Sequence, residues 1–406
     1  MKPKDLLKIT LGILTSIGGF LDVGAIATSA EAGAVFGPRL LWTLAFSTLC
    51  IIFLVEMAGR LAAVSKHTLA DALRERFGFR FFVIPFACEL FVDLLVLAAE
   101  LGGVCLALQF VTGIAFRWWA FPVALLVWLF IWVGSFPIVE RTTALLGLVT
   151  IVFIVAAVKM KPDWHAVGAG FIPSLPPKDA AHYWYLTLSI IGAVVSPYLI
   201  YFYSSGAVED KWTKKDLAVN RGVAALGMGF GSIVAMGVMI AAATTLLPAG
   251  VALDRYEQAP LMLTASLGIT GLYLFAASLG IACLGASVEV ALSVAYLTAQ
   301  TFGWNWGENL APKRNARFAT VYTVFILLAA CITFTGIDPL KLTLFTMALT
   351  VVILPLLLLP MIVVMNDKKF LGDHRNGWIS NTMGVIIVLV ALILSVAAIP
   401  LQIIGG

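Results

Sequence analysis

The sequence predicts an all-α polytopic membrane protein of about eleven transmembrane helices, a five-plus-five inverted repeat with helices 1 and 6 broken at mid-membrane. Three observations carry this prediction. Apolar residues make up 61% of the 406 and charged residues only 12%, with a mean hydropathy of +1.01; a soluble domain of this size does not manage with so little charge. The apolar residues gather into runs of about 20 or more, the length that crosses a hydrocarbon core. Two of those runs are interrupted, at Phe20-Leu21-Asp22-Val23-Gly24-Ala25 and at Ala193-Val194-Val195-Ser196-Pro197-Tyr198.

In chain order the spans fall at 9–36, 40–63, 82–112, 118–137, 141–159, 183–206, 217–247, 268–300, 316–335, 340–365 and 380–403. The first and sixth contain the interruptions. Five helices separate them, which predicts one repeat over 1–160, a second over 182–365, and a last helix at 380–403, all within one transmembrane domain covering 1–406. The halves share no letter-by-letter identity, so the repeat rests on topology. Lys2, Lys4 and Lys8 look like the basic start of a secretion signal, but the apolar segment that follows carries Asp22 and runs into more membrane. It is therefore expected to be the first span. The longest soluble piece, Lys161 to Ala181, contains Pro173, Pro176 and Pro177 and is expected to be an ordered external loop. Counted by side, nineteen of the 26 Lys and Arg residues fall on the face that holds the N-terminus, against seven on the other. That bias places the N-terminus in the cytoplasm, and an odd number of spans places the C-terminus outside.

The composition also excludes. A net charge of +4 gives no sign of a nucleic-acid partner. The five cysteines lie in apolar runs without paired spacing, as small buried hydrophobes do. None of His67, His165, His182 and His374 lies deep in an apolar segment, so an intramembrane histidine relay is not expected. No nucleotide-binding glycine loop, Cys–His cluster or nucleophile constellation occurs. The chain is not expected to be an enzyme or an ATP-driven pump, and no cofactor, catalytic residue or obligate protein partner is expected.

Irregular backbone at membrane depth survives only where it lines a protein-enclosed cavity, and an ionised carboxylate there is costly. Two broken helices, one per half, therefore point to a secondary transporter with its site at mid-membrane. Asp22 comes first: Gly24 gives the backbone freedom to unwind beside it, and no Lys or Arg lies mid-span to neutralise it. A ligand for a bound cation is favoured over an aspartate that pairs with a base or caps the following half-helix. In the second break Pro197 lacks an amide proton and pushes Ser196 out of the helical region. Carbonyls near Ala193 and Val194 are then free to face the same cavity, with Ser196 adding a hydroxyl. On span 3, Glu89, Asp93 and Glu100 are spaced by 4 and 7 residues, which puts them within roughly 40° of one helix face. They form a proton or cation path, or they are neutral acids buried against backbone groups; Glu289 in span 8 carries the same two alternatives. Glu56 and Arg60 are expected to pair at i,i+4, and Glu31 either lines an outer vestibule or is solvated there.

Around these residues the chain resembles the NRAMP divalent-metal transporters. Gly19-Phe20-Leu21-Asp22-Val23-Gly24-Ala25-Ile26-Ala27-Thr28, followed by Ala32-Gly33-Ala34-Val35-Phe36-Gly37, is similar to the family's Asp-Pro-Gly-Asn-Ile-Ala-Thr and Ala-Gly-Ala-x-Phe-Gly. The stretches Leu69-Ala70-Asp71-Ala72-Leu73-Arg74-Glu75-Arg76-Phe77 and Asp367-Lys368-Lys369-Phe370-Leu371-Gly372-Asp373-His374-Arg375-Asn376-Gly377 resemble family loops. The resemblance covers nearly the whole chain and implies a LeuT-type fold.

It also implies a metal site built from an aspartate and an asparagine on helix 1 and a methionine sulfur and an alanine carbonyl on helix 6. Asp22 and Ala193 match two of these four; Ala25 stands at the asparagine position and Ser196 at the methionine position. The family's Met-Pro-His appears as Ser196-Pro197-Tyr198, a second histidine aligns with Tyr203, and the aspartate one turn before the Glu100 match aligns with Leu97. Thioether sulfur favours softer metals, whereas carboxylate, carbonyl, hydroxyl and water suit Mg²⁺ and Mn²⁺. The pattern therefore resembles the NRAMP-related magnesium transporters. The expected function is transport of a hard, partly hydrated divalent ion held by Asp22, Ala193 and Ser196, in a cavity lined by Ala25, Gly24, Pro197, Tyr198 and Tyr203. Glu100, Asp93, Glu89 and Glu289 provide the proton or cation path, and proton coupling is weak or absent. The ion is substrate, the bilayer is the other partner, and the inner membrane of a bacterium is the expected location. The rivals are an ordinary proton-coupled Mn²⁺/Fe²⁺ transporter, a carrier of a small organic solute with its amine on Asp22, and a non-transporting receptor.

Overall fold

A computed structural model describes residues 22–133, 148–174, 176, 179–253, 255–307, 310 and 312–405. The first half of span 1 and the residues joining spans 4 and 5 lie outside the described residues.

The described chain is helical. It runs α1 (Val23–Phe36), α2 (Leu41–Ser65), α3 (Leu69–Phe77), α4 (Phe79–Thr112), α5 (Ala120–Val133), α6 (Val152–Lys159), α7 (Ala180–Val194), α8 (Pro197–Glu209), α9 (Leu217–Thr245), α10 (Ile269–Phe302), α11 (Ala316–Phe334), α12 (Pro339–Asn366) and α13 (Trp378–Gly405), with short helical turns between. Among the described residues nine apolar stretches are long enough to cross a membrane, and Leu148–Lys159 is a shorter tenth. They account for the predicted spans: the stretch Val23–Ser65 contains both α1 and α2, joined by the turn Gly37–Leu40, and α6 is the described end of span 5.

Local chemistry sets the boundaries. Thr68 caps α3 by accepting from the Asp71 amide, and Asp338 caps α12 by accepting from Leu340 and Lys341, each supplying an acceptor to otherwise unpaired amides. Gly113 and Gly303 close α4 and α10 in the left-handed conformation, where a Cβ would be penalised. Packing, not an amphipathic stripe, decides which faces are inside. On α13, Val385, Leu389, Ile393 and Val396 form an exposed apolar row, as expected of a surface solvated by lipid.

Between apolar helices in lipid, close approach at small residues supplies the packing. A Cβ on Gly33 of α1 would strike the Met239 carbonyl of α9, one on Gly103 of α4 would strike the Cys283 sulfur of α10, and one on Gly192 of α7 would strike the Met347 carbonyl of α12. The pair α4–α10 is the most extensive helix contact, followed by α1–α9. These contacts bring the starts of α1 and α8 into the centre of the bundle.

Candidate functional site

The first break ends in amide groups claimed by carboxylates. Asp22 is extended (φ −105, ψ 180) and is the N-cap of α1, its Oδ1 accepting from the Ala25 amide at 2.7 Å. From α4, Glu100 accepts the Val23 amide at 3.2 Å on both carboxyl oxygens. Both acids are essentially fully buried, and the positive end of a helix dipole is where buried negative charge is best tolerated. The Cys283 thiol lies near Glu100, and the Tyr256 hydroxyl donates to the Val23 carbonyl at 3.4 Å. Asp22 is thus a cap as well as a candidate ligand; capping engages Oδ1, and a carboxylate has a second oxygen.

Gly24 differs from expectation. It sits inside the first turn of α1, not in an unwound stretch, and its carbonyl accepts the Thr28 hydroxyl at 2.8 Å. Its lack of a side chain provides space rather than flexibility. A Cβ there would lie 2.7 Å from both Sδ and Cε of Met347 and 3.1 Å from Asp22 Oδ1.

The second break ends in carbonyls. α7 stops at Val194; Val195 (φ −101, ψ 65) and Ser196 (φ −84, ψ 125) are non-helical, and Pro197 opens α8 without any side-chain cap. The Ser196 hydroxyl turns back, 3.1 Å from the Ala193 carbonyl and 3.2 Å from that of Gly192. The Ala193 oxygen is therefore shared rather than free as expected, although a hydroxyl has one proton and a carbonyl has two lone pairs.

Four of the predicted acids gather around one phenol. Tyr198, buried in the first turn of α8, lies within electrostatic reach of Asp22, Glu100, Glu289 and Asp93. The Ser293 hydroxyl of α10 donates to the Tyr198 carbonyl at 3.0 Å, one turn after Glu289. Glu89 and Asp93 lie one turn apart on α4 with both carboxyls buried, and Glu89 Oε1 and Asp93 Oδ2 have no protein partner. Ala25 is buried beside the Asp22 cap.

Tyr203 is not with this group. Its hydroxyl donates to Asn220 at 3.0 Å, and its ring packs on Gly59 and edge-on against Trp212, in the seam of α2 and α9. Five residues after Tyr198 on one helix, it is turned by roughly 140°, so the two tyrosines cannot line the same wall. Glu56 and Arg60 pair at 3.1 Å as expected, and Arg60 also holds the His374 carbonyl and Asn376. Glu31, buried, meets His182 at 3.3 Å beside a cavity of about 1060 Å³ lined also by Tyr185, Arg255, Glu257 and Asp338.

Met347 and Tyr256 were not anticipated. In the sequence Met347 is one methionine among several in an apolar span, and Tyr256 lies in a connecting segment without periodicity. Only the fold shows that the first stands between the two breaks. Among the described residues no three His, Cys, Asp or Glu side chains converge as a metal cluster; a cation at the breaks would be held by one carboxylate plus carbonyl, hydroxyl, thioether or water.

Comparison with known proteins agrees with this architecture. The Divalent metal cation transporter MntH of Yersinia enterocolitica is 26% identical over 92% of this chain and 90% of its own length. Its namesake from Caldanaerobacter subterraneus is 24% identical over 93% and 89%, and that of Deinococcus radiodurans is 28% identical over 57% and 55%. Among solved structures, the Eremococcus coleocola manganese transporter superposes with a TM-score of 0.83 at 20% identity, covering 99% of this chain and 87% of that one. MhsT in complex with L-phenylalanine superposes at 0.66 and 13% identity, covering 98% of each; at these identities the likeness is one of fold. The family model described as natural resistance-associated macrophage protein-like matches residues 12–400, and the chain, a membrane transporter and not an enzyme, belongs to that Nramp family.

Proposed function

We propose that this protein carries a divalent metal ion across the membrane, taking Mg²⁺ and Mn²⁺ before Fe²⁺, with weak or absent proton coupling. The observation that carries the proposal is the Asp22 carboxylate at the start of α1, in a centre where, among the described residues, no three His, Cys, Asp or Glu side chains converge. A lone carboxylate with the Ala193 carbonyl, Ser196 and waters suits a hard ion that keeps part of its hydration shell. The relatives' names, divalent metal cation transporter and manganese transporter, support a metal as the substrate class. Glu100 and Glu289 add negative potential around Tyr198 and draw a cation inward. The N-terminus faces the cytoplasm of a bacterial inner membrane, the C-terminus lies outside, and access alternates by movement of the two broken helices, the first and the sixth, against the rest.

The Glu89–Asp93 pair favours the proton-coupled alternative, because two buried acids one turn apart on α4 offer a place for a proton within the membrane. Uptake of Mg²⁺, Mn²⁺ and Fe²⁺ into liposomes, with a pH dye inside, separates the two. Mg²⁺ and Mn²⁺ entry without stoichiometric acidification is expected. Acidification that follows metal entry, and vanishes in Glu89→Gln with Asp93→Asn, would establish coupling instead. Retained uptake by Asp22→Asn would remove the proposed site altogether.

A further inference from the structure

We propose that Met347 is a thioether ligand of the transported ion and sets the balance between Mg²⁺ and softer divalent metals. The inference rests on the metal-transport function proposed above. Sδ and Cε of Met347 and Oδ1 of Asp22 all lie within 3.1 Å of the point where a Gly24 Cβ would stand, so sulfur and carboxylate flank one small volume. Met347 is 1% exposed, and its backbone is fixed, since its own carbonyl presses on Gly192, the residue before the Ala193 carbonyl. One residue of α12 therefore touches both breaks: its main chain at α7 and its side chain at α1. The side chain ends against a glycine whose missing Cβ admits it, and the Asp22 carboxylate approaches that same glycine.

The chemistry that follows is selective. Thioether sulfur binds soft and borderline metals and offers little to an ion that demands oxygen. Mg²⁺ can be held by Asp22, carbonyl and water with the sulfur turned aside, as the three flexible torsions of methionine allow. Cd²⁺, and to a smaller degree Mn²⁺, gain from the sulfur. The thioether thus widens the range of a site whose other groups are all oxygen.

The test uses the full-length protein in liposomes and replaces Met347 by leucine, which keeps the volume and removes the sulfur. Met347→Leu is expected to weaken Cd²⁺ uptake and Cd²⁺ competition by about tenfold and Mn²⁺ by a smaller factor, leaving Mg²⁺ within about twofold. X-ray absorption of Cd²⁺-loaded protein is expected to show a sulfur shell that Met347→Leu lacks. Equal weakening of all ions, or no change, would make Met347 a packing residue and overturn the inference, as would a sulfur shell that persists in the variant. Each of those outcomes leaves metal transport by Asp22 intact. Absence of metal uptake by the unsubstituted protein would overturn both.

Discussion

The two helix breaks meet in the same centre but leave the backbone with opposite needs. At the start of α1 the chain presents amide hydrogens, and two buried carboxylates, Asp22 and Glu100, answer them. At the end of α7 it presents carbonyl oxygens, and the Ser196 hydroxyl answers those of Gly192 and Ala193. The negative charge therefore belongs to one break, while the other contributes only dipoles. In the proposed site an ion would compete with α1 for Asp22 and with Ser196 for the Ala193 oxygen. The first competition is the stronger one, because charge-assisted hydrogen bonds exceed neutral ones by roughly a factor of two.

Substitutions can break that asymmetry or sharpen it. Asp22→Asn removes the ligand charge while leaving an oxygen able to cap α1. Metal uptake is expected to fall by about a hundredfold, with the folded fraction in detergent, followed by size-exclusion chromatography, nearly unchanged. Glu100→Gln keeps an acceptor for the Val23 amide but loses its charge, and a drop of about tenfold in uptake is expected, with a thermal shift of the size of one weakened helix cap, about 1 kcal/mol. Ser196→Ala releases the Ala193 carbonyl and subtracts a hydroxyl. The two changes oppose each other, so apparent affinity should move by no more than about threefold. A larger loss for Ser196→Ala than for Glu100→Gln would reverse the ranking of the breaks.

A control lies away from both. The Lys369 ammonium, 2.6 Å from Glu75, holds that carboxyl below the ordinary glutamate value. Its contribution is complete above the ordinary value and is lost as pH falls through the lowered one. The difference in melting temperature between the protein and Lys369→Ala should be small at pH 7, since the pair is exposed, and vanish once pH has fallen below the lowered value; uptake should not follow it.

Much of this was legible in the sequence because it depends on local chemistry. Hydropathy located the spans, Pro197 located the second break, and the 4 and 7 spacing placed Glu89, Asp93 and Glu100 on one face of α4. What the sequence hid depends on partners from distant elements. Gly24 looked like a point of freedom until α12 was seen to fill the space beside it. Met347 carries no mark that separates it from Met361 or Met365. Tyr203 is a different case: its angle from Tyr198 on one helix could have been counted, but alignment to a histidine position outweighed helical geometry.

The glycine contacts described for the fold also govern how the molecule can move. Gly192 seats α7 against the backbone of α12, and Gly33 seats α1 against the backbone of α9. Contacts at backbone distance have no side chain to give way, so each works as a rivet. α7 must travel with α12, and α1 with α9. α1 and α7 also pack directly on each other, and the pliable side chain of Met347 lies on Gly24. A side chain added at Gly33 or Gly192 would meet backbone and should cost more than one at Gly24, where the end of a flexible methionine can give way.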